Sequence, residues 1–266
     1  MEIKNINITY FSGTGGTEKI AFIAQKYLVE NNKTIEIHSI NKNYLKNANI
    51  SNDKIDLIIL FFPVYAFDSP QIIYDWCKLL PKGNNLPVMV VSISGGGEVS
   101  QNSACRIGIM KKLKKKGYFV FYENMVKMPS NFLVETPEKE ALKLIMELPN
   151  TIKTILDKAL SGKERHKKPE FTGRVITFLL KIEKTAIWLF GKSLKVRPAC
   201  TKCNWCVNNC PKNNIENRND KIIFKFNCEG CLKCIYGCPF NVIYTKIFSF
   251  IILKNGYSIK ELEEKI

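Results

Sequence analysis

The feature that most constrains this chain is a cysteine pattern that occurs twice near its C-terminal end. The first copy, CTKCNWCVNNCP, has the spacing C-x-x-C-x-x-C-x-x-x-C-P, and CEGCLKCIYGCP repeats that spacing 28 residues later. The same offset pairs Pro211 with Pro239 and Asn213 with Asn241. Because the agreement extends beyond the cysteines, the pattern indicates that one small supersecondary unit has been duplicated.

This cysteine spacing suits iron-sulfur cubanes. Two residues between successive cysteines allow a tight loop to place three thiolates around one cluster, whereas the fourth cysteine, before proline, reaches the other cluster. We therefore predict two 4Fe-4S clusters whose ligands are exchanged between the copies. One cluster is predicted to bind Cys200, Cys203, Cys206 and Cys238, and the other Cys228, Cys231, Cys234 and Cys210. A pair of tetrahedral zinc sites is the alternative.

The duplicated motif resembles that of bacterial two-cluster ferredoxins. The resemblance implies a small α+β module that carries single electrons, and we predict this domain over residues 198–266. Ferredoxins of this kind are usually acidic, but residues 200–266 contain ten Lys or Arg and six Asp or Glu. We therefore expect the redox partner to be acidic.

Residues 1–160 alternate between strand and helix patterns. The predicted strands span residues 3–11, 34–40, 56–65, 87–94 and 118–126, and the predicted helices span residues 17–30, 70–80, 102–116 and 136–160. Strands that alternate with helices predict an α/β domain with a doubly wound, five-stranded parallel sheet. Cys77 and Cys105 fall on two of these helices, where we expect buried structural thiols.

The sequence SGTGGT joins the first strand to the first helix. This turn belongs at the carboxyl ends of the strands, where parallel sheets bind ligands. Its unhindered backbone N–H groups and its hydroxyls suit a phosphate at a helix N-terminus. Neither the Gly-Lys-Ser/Thr of a nucleotide loop nor G-x-G-x-x-G is present. The candidate phosphate contacts are Ser12, Gly13, Thr14, Gly15, Gly16 and Thr17.

This turn resembles the flavodoxin fingerprint (T/S)-x-T-G-x-T, although Gly16 stands where many flavodoxins have asparagine. The resemblance implies that the loop holds the phosphate of FMN. It also implies flavin contacts from the loops after the third and fourth strands, at Pro63, Val64 and Tyr65 and at Ser94, Gly95, Gly96 and Gly97. Tyr65 is expected to stack on the flavin ring. Ala66 and Phe67 follow it where flavodoxins often have glycine.

The whole chain resembles the fused flavodoxin-ferredoxin proteins of anaerobes, the EFR-type ferrodoxins. The resemblance implies an electron-transfer protein that passes electrons between FMN, two 4Fe-4S clusters and an external redox partner. A flavin-dependent oxidoreductase with an internal electron supply is the first alternative, but His38 and His166 form no acid-base constellation. A ferredoxin with a flavin-free docking scaffold is the second.

Basic residues are concentrated between the two predicted domains. The chain has a net charge of +16, and residues 161–199 hold ten Lys or Arg but only three Asp or Glu. Within the predicted linker, residues 161–197, an amphipathic helix over residues 175–190 is expected to present Val175, Leu179, Ile182, Ala186 and Leu189 on one face.

Neither a membrane span nor a nucleic-acid site is predicted from this composition. Lys181, Glu183 and Lys184 interrupt the most apolar segment, and the N-terminal residues alternate like a strand, so we expect a cytoplasmic protein. Contact of the amphipathic helix with a membrane surface is the alternative to its packing on a domain. An acidic redox partner explains the positive charge better than nucleic acid does.

Overall fold

The first half of the chain forms a parallel sheet covered by helices on both faces. The computed structural model describes residues 3–47, 50–99, 102–167 and 183–266. The strands are β1 (Asn5–Tyr10), β2 (Thr34–Ser39), β3 (Leu57–Pro63), β4 (Pro87–Ser94) and β5 (Phe119–Lys127), and the helices are α1 (Gly16–Glu30), α2 (Lys42–Asn47), α3 (Gln71–Leu79), α4 (Ile107–Lys115) and α5 (Glu138–Leu160). The strand order β2-β1-β3-β4-β5 is the flavodoxin-like order, which confirms the predicted fold class.

Two apolar cores hold this sheet. On one face, Ile8 and Ile59 pack with α1 and α5, and on the other, Phe62 packs with Trp76 of α3 and Ile109 of α4. Burial on both faces explains why β3 reads as an uninterrupted apolar run. Cys77 and Cys105 are buried, as expected.

One helix of this domain was not predicted, and another begins five residues later than predicted. Helix α2 was not predicted because its sequence, KNYLKN, is largely polar and none of its residues is buried. The Asn41 side chain accepts the N–H groups of Asn43 and Tyr44 and so caps its start. Helix α4 begins at Ile107 rather than at residue 102, because the preceding turn places Arg106 in a buried ion-pair network.

The C-terminal module repeats one unit in both sequence and backbone. Strands β6 (Lys195–Val196) and β9 (Ile243–Tyr244) form one antiparallel pair, β7 (Ile215–Arg218) and β8 (Lys221–Phe224) form the other, and α7 (Trp205–Asn209) and α8 (Lys233–Tyr236) follow the cysteine loops. With the 28-residue offset, β6 corresponds to β8 and β7 to β9. Each strand therefore pairs with a strand of the opposite copy.

The duplicated cysteine loops share their left-handed residues. Asn204 and Leu232, one offset apart, have φ of 59° and 56°, and Asn213 and Asn241 have φ of 50° and 49°. The left-handed conformation is unfavourable for leucine. Because Leu232 adopts it at the position that corresponds to Asn204, the shape of the loop, and not the preference of the residue, sets the backbone conformation there. Alternation between left- and right-handed residues turns successive N–H groups toward one concave side.

Helix α6 (Glu183–Ser193) packs on the C-terminal module, but not through the predicted face. Phe190 is 4% exposed, whereas Leu189 is 51% exposed and Ala186 is also exposed. The assignment of Ala186 and Leu189 to a packed face is therefore wrong, while Val175, Leu179 and Ile182 lie outside the described residues. Gly191 allows α6 to approach Cys228 closely on the face that it buries, because a Cβ at position 191 would overlap the Cys228 side chain.

The last residues of the chain return to the first domain. After a 3₁₀ turn at Ser249–Ile251, helix α9 (Ile259–Glu264) packs against α1 and α5. Ile259 is buried in the same core as the first strand, and Glu263 forms an ion pair with Lys19 of α1. None of the helices in the described ranges has the length and apolar character needed to cross a bilayer.

Candidate cofactor sites

The glycine turn after β1 is preformed at the N-terminus of α1. The Ser12 Oγ accepts the N–H of Gly15 at 3.1 Å, and Gly15 has φ of +96°, a conformation that an L-residue adopts only with strain. Helix α1 begins at Gly16, so its first N–H groups are available at the turn. The arrangement suits a small anion at the end of a 15-residue helix.

The three predicted flavin loops converge at the carboxyl edge of the sheet. They enclose a cavity of about 60 Å³, lined by the candidate residues Ser12, Gly13, Thr14, Gly16, Thr17, Pro63, Val64, Tyr65, Ser94 and Gly95. Gly15, Gly96 and Gly97 do not line it. The cavity is well below the roughly 300–1,000 Å³ of most small-molecule sites, so it has room for a phosphate-sized group.

Five residues that line the cavity were not among the candidate flavin contacts: Ile93, Met128, Pro129, Asn131 and Tyr257. Two of them bring polar groups to the site. Asn131 donates from Nδ2 to the Thr14 Oγ1 at 2.7 Å and so orients that hydroxyl. Tyr257 comes from the C-terminal segment, donates its hydroxyl to the Pro129 carbonyl at 3.1 Å and lies against Gly16. Asn131 follows β5, at the edge where parallel sheets bind ligands, but no local pattern marks Tyr257.

A buried ion-pair network holds the loop after β4. The Arg106 guanidinium bonds the Glu123 carboxylate at 2.5 Å, the Glu98 carboxylate at 2.8 Å and the Ser92 hydroxyl at 2.8 Å. Burial alone would raise the pKa of Glu98, but the positive charges of Arg106, Lys167 and Arg165 together outweigh burial and lower that pKa. Since Glu98 follows the three glycines, the network fixes one end of the loop against the sheet.

The loop after β3 is a tight two-residue turn made without glycine. Tyr65 and Asp68 exchange backbone hydrogen bonds of 3.1 and 3.0 Å, and the central residues Ala66 and Phe67 have φ of 49° and 54°. A type I′ turn requires positive φ at both positions and normally contains Asn-Gly. The turn therefore stores strain next to the cavity.

We expect Ala66→Asn to raise the free energy of unfolding by up to about 1 kcal/mol, because asparagine tolerates the left-handed conformation better than alanine. The matched control is Ala186→Asn on the exposed, right-handed backbone of α6. That change should lower the free energy by roughly 0.5 kcal/mol because asparagine is a poorer helix former. Denaturant unfolding measures both, and a loss of stability at both positions would contradict the strained turn.

The eight cysteines of the repeats separate into two groups, each around a cavity of about 20 Å³. The distal set, Cys200, Cys203, Cys206 and Cys238, lines one cavity, and the proximal set, Cys210, Cys228, Cys231 and Cys234, lines the other. Each set takes three cysteines from one copy and one from the other. The four thiols of each set surround a small volume and do not converge on one point. Within the described residues, no three candidate ligands are placed to bind a single metal ion.

Burial and backbone donors together define the environment of the thiols. Burial raises the pKa of Cys228 to about 12 and that of Cys206 to about 11. The N–H of Gly230, 3.3 Å from the Cys228 sulfur, lowers the pKa of Cys228 in opposition to burial. The N–H of Asn214 lies 3.2 Å from the Cys210 sulfur. Ligation requires thiolates, so metal binding at these sites should release protons.

The proximal set lies directly against the glycine turn. Cys231 packs in the first domain's core beside Phe11, and a Cβ at Gly13 would lie 2.7 Å from the Cys231 carbonyl oxygen. The same Cβ would overlap the Tyr65 hydroxyl. Burial, followed by the nearby charges of Cys231 and Glu229, holds the pKa of Tyr65 well above its usual range. Tyr65 packs edge-on against Phe11 and lies between the turn and the proximal set.

Helix α3 receives polar contacts from the cysteine module. The Glu229 Oε1 accepts the N–H of Ile72 at 2.8 Å, in the first turn of α3, and the Lys212 ammonium lies 2.8 Å from the Asp75 carboxylate. Burial alone would raise the pKa of Asp75, but Lys212 and Lys78 outweigh it and lower that pKa to about 2. These contacts fix the orientation of the proximal loop relative to the sheet.

We expect Glu229→Ala to lower the free energy of unfolding by about 1–2 kcal/mol, because it removes the acceptor at the start of α3. Glu229→Gln retains an acceptor and should cost less. The control is Glu30→Ala at the exposed end of α1, which should change stability by less than about 0.5 kcal/mol. Equal losses at positions 229 and 30 in denaturant unfolding would show that the interdomain cap contributes nothing.

Hydrogen bonds also join the turn to helix α8, which contains Cys234. Asn131, which bonds Thr14, accepts at its carbonyl from the Tyr236 hydroxyl at 3.1 Å. The Tyr236 oxygen in turn accepts the N–H of Leu253 at 2.9 Å. Tyr236 lies two residues after Cys234 in α8, so the glycine turn, the proximal set and the C-terminal segment are linked through one tyrosine.

Comparison with known proteins identifies the second domain. Residues 193–246 match the family model of the 4Fe-4S dicluster domain. Over 67 residues the chain is 39% identical to pyruvate synthase subunit PorD of Methanocaldococcus jannaschii, which covers 24% of this chain and 76% of that protein. The chain therefore joins a 4Fe-4S dicluster ferredoxin domain to a domain of flavodoxin-like fold. Its two domains support a role in electron transfer.

Solved structures resemble the first domain of this fusion protein. Oxidised flavodoxin 2 from Bacillus cereus aligns with 14% identity and a TM-score of 0.40, and covers 58% of this chain and 99% of its own. General stress protein 14 from Treponema denticola, solved in complex with FMN, aligns with 12% identity and a TM-score of 0.42, and covers 60% of this chain and 99% of its own. The strand order itself, observed directly, defines the fold of this domain.

Proposed function

We propose that this fusion protein carries electrons between FMN at the glycine turn, a 4Fe-4S cluster in the proximal set, a second cluster in the distal set and an external redox partner. The observation that carries the proposal is the contact between Gly13 and Cys231. This contact supports a path for electrons from the glycine turn to the proximal set and from there to the distal set.

The cysteine sets fit the clusters proposed for them. Four thiols surround each cavity, and N–H groups lie within 3.2–3.3 Å of Cys210 and Cys228. Hydrogen bonds to sulfur and solvent exposure tune the potential of a cluster. Cys203 is exposed, whereas Cys231 is buried. The distal set is therefore the more exposed of the two.

The glycine turn fits the phosphate end of FMN. Asn131 orients the Thr14 hydroxyl, the Ser12 Oγ accepts the N–H of Gly15, and the turn itself is uncharged at the N-terminus of α1. When bound, the flavin accepts electrons in pairs and releases them singly. The fusion keeps the two domains at high effective concentration, and the Glu229 and Lys212 contacts hold them in one orientation.

A second candidate function follows from the size of the cavity at the three loops. At about 60 Å³, with Tyr65 and Tyr257 in its wall, the cavity has room for the phosphate but not for the flavin ring unless a side chain moves. This observation favours a ferredoxin whose first domain is a flavin-free scaffold. The two candidates differ in a single measurable quantity, the flavin content.

Anaerobic purification followed by iron, zinc and acid-released flavin counts tests both candidates. About eight iron atoms and one FMN per chain would support the two-cofactor carrier. Full iron without flavin, even after addition of FMN, would support the scaffold. Zinc in place of iron would rule out both.

A further inference from the structure

An exposed apolar patch lies where the two domains meet. We define the patch by Phe132, Leu133 and Val134 from the loop after β5 and by Ile247 and Phe250 near the 3₁₀ turn. These five side chains are between 39% and 74% exposed. Clustered exposed apolar residues on a soluble surface mark interaction sites more often than isolated ones do.

The two strips of the patch are physically joined. The N–H of Leu133 donates to the carbonyl of Ile251 at 3.0 Å, which sets the loop beside the 3₁₀ turn. Phe250 lies next to Phe248, with ring centroids 6.3 Å apart, and Phe248 packs edge-on against the buried Phe190. The patch thus rests on the core of the cysteine module and spans both domains.

The patch is close to both proposed redox centres. Phe132 follows Asn131, which lines the cavity at the glycine turn. The Asn131 carbonyl accepts from Tyr236, two residues after Cys234 of the proximal set. A protein bound at the patch would therefore sit within a few residues of the flavin loop and of the proximal cysteines.

Charge near the patch indicates the kind of partner. The exposed Lys246 and Lys254 bracket the segment that carries Ile247 and Phe250, and no acidic residue lies between them. Glu135, beside Val134, accepts from Asn255 at 3.2 Å. A second copy of this chain, itself at net charge +16, would bring like charges together, whereas an acidic surface would be attracted.

We propose that this patch is the docking surface for an acidic redox protein, with Phe132 and Phe250 as aromatic anchors and Lys246 and Lys254 at the rim. The inference rests on the proposed function for the positions of the two redox centres and for the statement that the partner exchanges electrons. Aromatic anchors with a polar rim are the usual arrangement of binding energy at such interfaces. A lipid surface would also accept apolar and basic residues, but would not require proximity to both centres.

Photocrosslinking in the native cell tests the proposal. A photoreactive benzoyl-phenylalanine replaces Val134, which is 74% exposed, and the control carries it at Met146 on α5, which is 62% exposed. We expect position 134, but not position 146, to crosslink a protein that mass spectrometry identifies as acidic and cofactor-bearing. Crosslinks to a second copy of the chain, to lipid, to a basic protein or to nothing would overturn the proposal.

Binding measurements with the crosslinked protein then separate the patch from other surfaces. The double substitution Phe132→Ser and Phe250→Ser removes both proposed anchors and should weaken binding at least about tenfold, and Met146→Ser should leave it within about twofold. Loss of phosphatidylglycerol vesicle binding in the double variant, without loss of protein binding, would assign the patch to membranes instead. Iron and flavin counts on each variant show separately whether the proposed function has failed.

Discussion

Cys210→Ala and Cys231→Ala are each expected to lose about four of eight iron atoms, and both should lose the same cluster. The two residues lie in different copies of the motif, yet they line one cavity. By the same argument, Cys200→Ala and Cys238→Ala should both lose the other cluster. Iron analysis together with the electron paramagnetic resonance spectrum of the reduced protein would identify which cluster is left.

The control for these cysteine variants is Cys77→Ala. Cys77 is buried on α3 and belongs to neither set, so its removal should lower stability by about 1 kcal/mol but leave the iron content unchanged. If Cys210→Ala instead removed the same spectrum as Cys200→Ala, each motif would bind its own cluster and the exchanged assignment would be wrong.

Gly13→Ala is the other substitution from which we expect a large effect. A methyl group at this position would lie 2.7 Å from the Cys231 carbonyl oxygen and would overlap the Tyr65 hydroxyl. The Cys231 carbonyl is part of the backbone and cannot move aside as a flexible side chain can. The cysteine module must therefore shift away from the turn. We expect the free energy of unfolding to fall by about 1–3 kcal/mol, and the proposed electron transfer from flavin to cluster to become slower.

Two further variants test the cause of that effect. Tyr65→Phe removes the overlapping hydroxyl, so the double variant Gly13→Ala with Tyr65→Phe should recover part, but not all, of the lost stability. For stability alone the control is Gly96→Ala, whose methyl would make contacts of 3.5–4.0 Å. If Gly13→Ala and Gly96→Ala unfolded at the same denaturant concentration, the contact with Cys231 would not be a close one.

The local elements of the molecule were predictable because their signals are short-range. Strand β4 has the bounds expected from its apolar run, and β3 reads as buried because both of its faces are covered. Helix α2 lacked such a signal, since its sequence is polar and its cap is a single asparagine side chain. In α6 the periodicity of the apolar residues predicted that Leu189 is packed, but the helix instead places Gly191 against Cys228 and leaves Leu189 exposed.

The candidate sites were predictable only in part. Glycines, hydroxyls and cysteines at fixed spacing identify their own loops, and ten of the thirteen candidate flavin residues do line one cavity. Arg106 was missed because an arginine in a turn carries no sign that it will be buried between Glu98 and Glu123. Tyr257 was missed because it reaches the turn from the far end of the chain.

By itself the sequence determined the parallel α/β sheet, the position of the glycine turn and the duplication of the cysteine loops, since each depends on residues close together in the chain. Only the tertiary structure decided which cysteine set faces the turn, that Tyr257 joins its wall and that Phe132 and Phe250 share one exposed patch. Gly13 and Cys231 are more than two hundred residues apart. Contact between them depends on how two complete surfaces fit together, which no local spacing encodes.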